Sequence, residues 1–153
     1  MKSKAQHPDT HQITNIASVL SGPKSFQATY DCYLLGAWTG LAAQVRDCLE
    51  AAAQQEPLNA NVWIALADLV MWQREFGLGL PPDEASIEKR SHLADRELQA
   101  AVRAVDLAPH DTHAQAELAF GFYAKCESDR FRIEAEKAVA LNPYDADNLG
   151  WLE

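Results

Sequence analysis

Along most of the chain, apolar residues return every three or four positions, the interval that sets side chains on one face of an α-helix. Ile13, Ile16, Val19 and Leu20 form a first short stripe, which ends at Ser21-Gly22-Pro23. A helix that short is marginal alone and persists only when docked. Phe26, Tyr30, Tyr33, Leu34 and Ala37 resume the spacing up to Trp38, and Thr39-Gly40 interrupts it. The next helix is predicted over Leu41 to Gln54, with Ala42, Val45, Leu49 and Ala52 inward, and is stopped at Pro57, whose ring cannot continue the hydrogen-bond ladder. Asn59 or Asn61 can cap a following helix whose broad apolar face holds Val62, Trp63, Leu66, Ala67, Val70 and Met71. Its end is set by the glycines and prolines of Phe76-Gly77-Leu78-Gly79-Leu80-Pro81-Pro82.

Two further helical stretches complete the pattern. Ile87, Ala94, Leu98, Ala101 and Val105 predict a single helix from Asp83 or Ser86 to Leu107, with Glu88, Lys89, Arg90, Arg96 and Arg103 largely outside. At 1.5 Å per residue it would extend ~36 Å, and its first two turns would project beyond the body. Thr112-His113-Ala114-Gln115 fits a capping box, and Leu118, Ala119, Phe122 and Phe120 face inward beyond it. A turn at Lys125-Cys126-Glu127-Ser128 leads into a partner helix carrying Phe131, Ala135, Ala138 and Val139 to Leu141. Asn142-Pro143-Tyr144-Asp145 then opens a last helix, cut off at Glu153.

The pattern repeats. Ala104-Val105-Asp106-Leu107-Ala108-Pro109 and Ala138-Val139-Ala140-Leu141-Asn142-Pro143 share the frame A-V-x-L-x-P with a period of 34 residues. Leu66-Ala67 and Leu118-Ala119 stand at the same offset from Pro57 and Pro109. The two prolines lie 52 residues apart, one period plus an insertion of 18. Two helices per 34 residues make a helical repeat array in which neighbouring units bury one another's faces. The half-unit at the C-terminal end either serves as a cap or marks a piece of a longer protein, and without a polar terminal helix the second is expected.

Charge narrows the range of partners. The net charge of -9 argues against nucleic acid, which requires a positive surface. Residues 1–24 run the other way, with Lys2, Lys4 and Lys24 against Asp9. No apolar run is long enough to cross a bilayer and no secretion signal is evident, so a cytoplasmic protein is expected. Cys32, Cys48 and Cys126 form no C-x-x-C pair; reduced thiols are expected, with Cys32 and Cys48 buried on adjacent helices.

These residues resemble the tetratricopeptide repeat family over roughly residues 26–153. In that frame Pro57, Pro109 and Pro143 close each unit, and Ala52, Ala104 and Ala138 take the small position on the second helix. Leu66-Ala67 and Leu118-Ala119 take the large-then-small pair on the first helix, and Trp63 takes its aromatic position. The first unit departs most, with Cys32-Tyr33 where Leu-Gly or Leu-Ala is usual. The resemblance implies an all-α right-handed superhelix of antiparallel helix pairs over residues 25–153, about three pairs and a truncated final helix, one pair carrying the 18-residue insertion. Residues 1–24 precede it as a tail and short helix. Tyr30-Asp31-Cys32-Tyr33-Leu34-Leu35 is also similar to the start of repeat regions in some bacterial signalling and transcription-regulator proteins.

Members of the family mostly bind peptides or proteins along the groove lined by the first helix of each pair. Carried over, that groove comprises Gln27, Tyr30, Leu34 and Trp38, then Asn61, Ile64, Asp68, Met71 and Trp72, then His113, Ala116, Phe120 and Tyr123. Tyr30, Leu34, Ala65, His113 and Glu117 occupy the family's basic clamp positions, so binding of a C-terminal carboxylate is not expected. An apolar or helical peptide segment suits the walls. The Ile13/Ile16/Leu20 stripe is a candidate occupant from within the chain. The alternatives are a homo-oligomerising structural element and a regulatory sensor region of a larger bacterial signalling protein.

Chemistry is sparse. His110, Asp111 and His113 are close in sequence but lack a second pair of ligands, so no metal is expected. Glu134 and Glu136 point to different helix faces. There is no Ser/His/Asp or Cys/His arrangement, phosphate-cradling loop or metalloprotease helix, so neither an enzyme nor a cofactor is expected. Trp63 is expected between units, where Trp63→Ala would cost ~3–5 kcal/mol.

Overall fold

A computed structural model describes Cys32 and residues 42–144. The described residues are helical, with no strand among them: α1 (Ala42–Gln55), α2 (Ala60–Phe76), α3 (Ile87–Arg90), α4 (Leu93–Leu107), α5 (Thr112–Ala124) and α6 (Ser128–Leu141). Short connections force consecutive helices to turn back. α1 packs on α2, α2 on α4, α4 on α5 and α5 on α6, while α2 also reaches α5.

Each boundary has a local cause. Asn59 caps α2, accepting the Asn61 N–H at 3.1 Å, and its own amide donates to Glu56 Oε2 at 2.8 Å. Gly77 ends α2 at φ 68°, a left-handed conformation that glycine adopts without a Cβ penalty, and its N–H returns to the Gln73 carbonyl. Asp111, rather than Thr112, caps α5 by accepting the Ala114 N–H at 2.9 Å. The predicted capping box is therefore displaced by one residue: Thr112 begins the helix, and the Gln115 side chain donates to Glu134 Oε2 on α6 at 2.5 Å.

The predicted long helix is broken. α3 is a single turn, and α4 begins only at Leu93. The hydroxyl of Ser91 donates to the Glu88 carbonyl at 2.7 Å, and His92 Nδ1 lies against the Lys89 carbonyl. These side chains occupy carbonyls that the backbone ladder of a continuing helix would use. Arg90 Nη1 also donates to the Glu75 carbonyl at 2.7 Å, tying α3 to the end of α2 instead of letting it project. Ile87, expected inward, is 76% exposed, whereas Leu93 is 2% exposed. The buried stripe of α4 is Leu93, Ala94, Glu97, Ala100, Ala101 and Ala104.

The core joins Val45 and Leu49 of α1, Leu66, Leu69 and Val70 of α2, Leu93 and Ala101 of α4, and Leu118 of α5. Small residues let the helices approach closely. A Cβ on Gly121 would stand 3.0 Å from the Leu98 Cα, so α4 and α5 meet almost backbone to backbone there. Trp63 is not enclosed; it packs half-buried against the core edge and donates its indole N–H to the Pro57 carbonyl at 3.1 Å. Its truncation therefore costs less than the ~3–5 kcal/mol of a fully enclosed aromatic.

The thiol expectation is also corrected. Cys32 and Cys48 are joined in a disulfide, with Cα atoms 6.4 Å apart, while Cys126 is free and exposed. Both bonded cysteines are buried, and their Cα separation is within disulfide reach. No described helix is long and apolar enough to cross a membrane.

Candidate functional site

The positions singled out on α2 and α5 fall on helices that touch one another. Asn61, Trp72, His113 and Tyr123 are exposed, and Ile64, Asp68, Met71 and Phe120 are half-buried. Ala116 is buried and adds no wall. Gln27, Tyr30, Leu34 and Trp38 lie outside the described residues, as does the stripe over residues 10–20. Of the remaining clamp positions, Ala65 is half-buried, His113 exposed and Glu117 buried.

Aromatic side chains dominate this face. One helical turn separates Asp68 from Trp72, so the indole N–H donates to Asp68 Oδ1 at 2.9 Å. The Trp72 ring stacks on Phe76 with centroids 5.0 Å apart, and the two are 39% and 63% exposed. On α5, Tyr123 is 58% exposed and tilts against Phe131 at 5.7 Å. The Arg130 guanidinium lies 5.2 Å over the Phe122 ring.

Gln73, Glu97 and Glu117 are buried on these helices and on α4, and of the three only Glu117 stood among the residues singled out from the sequence. Glu97 is fully buried in the α4 stripe and accepts from Arg74 Nε at 2.6 Å and Nη2 at 3.3 Å. Burial pushes the Glu97 carboxyl up, and Arg74 offsets only part of that. Burial opposes the Arg74 charge, but Glu97 and Glu75 together hold it above its ordinary value. Glu117 on α5 is pushed well above the ordinary carboxylate value by burial, then by the negative charges of Asp68 and Glu97. Its Oε2 has no hydrogen-bond partner, nor do the two amide atoms of Gln73. The available sequence signal was a polar residue inside an apolar stripe: Glu97 between Ala94 and Ala100, Gln73 after Val70, and Glu117 beside Leu118.

A concavity of about 480 Å³ lies between α1, α2 and α4, lined by Leu66, Val70 and Ala100 beside Trp63. Its charged groups are engaged within the protein. Arg96 pairs with Glu50, and Arg103 Nη2 donates to the Pro57 carbonyl at 3.3 Å. It is a bridged seam between helices. Among the described residues no group of three or more His, Cys, Asp or Glu is placed to hold a metal ion.

Comparison with protein-family models and with curated proteins returns no match. The face between α2 and α5 is therefore read from its own geometry.

Glu117 makes that reading testable by pH. The folded chain keeps its proton at pH values where the unfolded chain, near the ordinary 4.5, has already lost it. The unfolded state then binds fewer protons, so stability falls as pH rises from about 4.5 toward the raised folded value. Glu117→Gln keeps the shape and removes the ionisation. Melting curves should show little difference from the parent near pH 4.5 and a rising advantage for the variant toward neutral pH. Parallel pH profiles would mean that Glu117 is solvated.

Proposed function

We propose that the chain is a non-catalytic, tetratricopeptide-like interaction module that holds an apolar or helical peptide segment against the α2/α5 face. The observation that carries this reading is the exposed Trp72–Phe76 stack on α2, with exposed Tyr123 on the neighbouring helix. Large aromatic rings left to solvent on adjacent helices suit an apolar partner that removes them from water. The most perturbed carboxyls among the described residues, Glu97 and Glu117, are buried among packed helices, and Glu97 is paired with Arg74, which supports a structural role. A cytoplasmic setting within a larger bacterial signalling protein belongs to this proposal only if Cys32 and Cys48 are reduced there.

The test is binding of a fluorescent amphipathic helical peptide with leucines spaced i, i+3, i+4 and i+7. Trp72→Ala removes the centre of the stack and should weaken the complex by ~2 kcal/mol, roughly thirtyfold, as loss of an aromatic anchor does. Equal affinity of parent and variant would place the peptide elsewhere and overturn the reading.

A further inference from the structure

The concavity between α1, α2 and α4 shares no residue with the aromatic face of Trp72 and Tyr123, and its volume of about 480 Å³ is that of a small-molecule site. Its wall is divided by chemistry. Ala53, Leu66, Val70 and Ala100 are buried and supply an apolar surface, with the half-buried Trp63 ring beside them. Arg96, Gln99 and Arg103 recur on α4 at i, i+3 and i+7. That spacing sets them along one face of the helix, about 10 Å from first to last.

The two arginines differ in what they meet. Arg96 forms an ion pair with Glu50 on α1, so its charge is already balanced. Arg103 meets a neutral group instead: its Nη2 donates to the Pro57 carbonyl at 3.3 Å, and among the described residues no carboxylate pairs with it. A guanidinium carries five N–H donors, and here one is used. The same Pro57 carbonyl accepts the Trp63 indole N–H at 3.1 Å, so one oxygen of the α1–α2 turn holds the indole edge and the guanidinium side by side. Both groups are positioned before any ligand arrives, which lowers the ordering cost of binding. Two arginines against one glutamate leave the lining with a surplus positive charge, in a chain whose net charge is -9.

We infer that this concavity binds a small organic monocarboxylate, its apolar body on Leu66, Val70 and Ala100 against the Trp63 ring and its carboxylate on Arg103. The planar fork of a guanidinium offers a carboxylate two parallel N–H donors, a match that an amide or an amine does not make. A single negative charge cancels the surplus, whereas a second would be set against Glu50. The inference goes beyond the peptide-binding reading and does not depend on it.

Isothermal titration of the full chain with 4-phenylbutyrate, 4-phenylbutyramide and 4-phenylbutylamine tests it, since the three share one apolar body and differ in the polar end. The carboxylate should bind about tenfold tighter than the amide, with the amine weakest. Arg103→Gln, which retains an N–H donor and whose fold is checked by circular dichroism, should bring the carboxylate down to the affinity of the amide. Equal binding of carboxylate and amide by the parent chain, binding of neither at millimolar concentration, or a preference that survives Arg103→Gln would overturn the inference. The fluorescent leucine peptide reports separately on the α2/α5 face. Saturating 4-phenylbutyrate should not displace it; displacement would put the carboxylate on that face and overturn the inference. Failure of the peptide to bind would sink only the peptide-binding reading. Because the probes vary while the protein stays the same, the first comparison does not depend on any variant folding.

Discussion

Arg74→Met lowers the stability of the chain by about 3–5 kcal/mol at neutral pH, the cost of stripping a buried charge of its partner. Glu97 is fully enclosed, and both of its oxygens are met by the Arg74 guanidinium. Without Arg74 the carboxyl must either remain charged in an apolar stripe of alanines or retain its proton. The second course becomes more expensive as pH rises above the ordinary value of 4.5, because the unfolded chain ionises freely there. The variant is thus least harmed near pH 4.5 and most harmed at neutral pH and above. The contact of Arg74 with exposed Glu75 adds little, as surface pairs do. Arg74→Met combined with Glu97→Leu should recover much of the loss, since an apolar pair of similar volume leaves no buried charge. Thermal melting of the three variants across pH decides the matter; an unchanged single variant at neutral pH would show that Glu97 is hydrated.

Leu93→Ala carries the second large effect, about 2–5 kcal/mol, because the side chain is enclosed by the core and its loss leaves a cavity. Ile87→Ala should change stability very little. The contrast between the two is a direct assay of the break at Ser91-His92. In one straight helix Ile87 would share the stripe of Ala94, Leu98, Ala101 and Val105 and its truncation would be costly. With the chain tied back by Arg90 to Glu75, Leu93 enters the core and Ile87 faces water. Denaturant midpoints that fall for Ile87→Ala and hold for Leu93→Ala would restore the straight helix.

Much of the architecture was legible in residues that act within one helical turn of themselves. The spacing of Val45 and Leu49, of Val62, Leu66 and Val70, and of Leu118 with Ala119 marked three of the helices by their buried stripes. Pro57, Gly77 and the Lys125–Ser128 turn marked ends, and one of the two candidate asparagines, Asn59, is the cap. The helical class follows from such signals because helix periodicity and capping depend on neighbours a few residues away.

Other features needed the third dimension. The local pattern placed Ile87 in a stripe, but Ser91, His92 and Arg90 break the helix by reaching for particular carbonyls. Trp63 had the composition of a core residue, yet the packing leaves it at the edge, with its N–H turned to Pro57. Arg74 and Glu97 are 23 residues apart, and nothing in either sequence neighbourhood marks them as partners. Cys32 and Cys48 were expected as two thiols, whereas the fold joins them in a disulfide. At the candidate site, Trp72 and Tyr123 were chosen from the repeat frame and are exposed, whereas the burial of Glu117 was decided by the packing of α5 on its neighbours. By itself the sequence determined where helices form, through interactions confined to a turn or two. Which faces meet, which charges are buried together and which aromatics remain in water were decided by the tertiary structure, because those depend on how loops and close approaches set one helix against another.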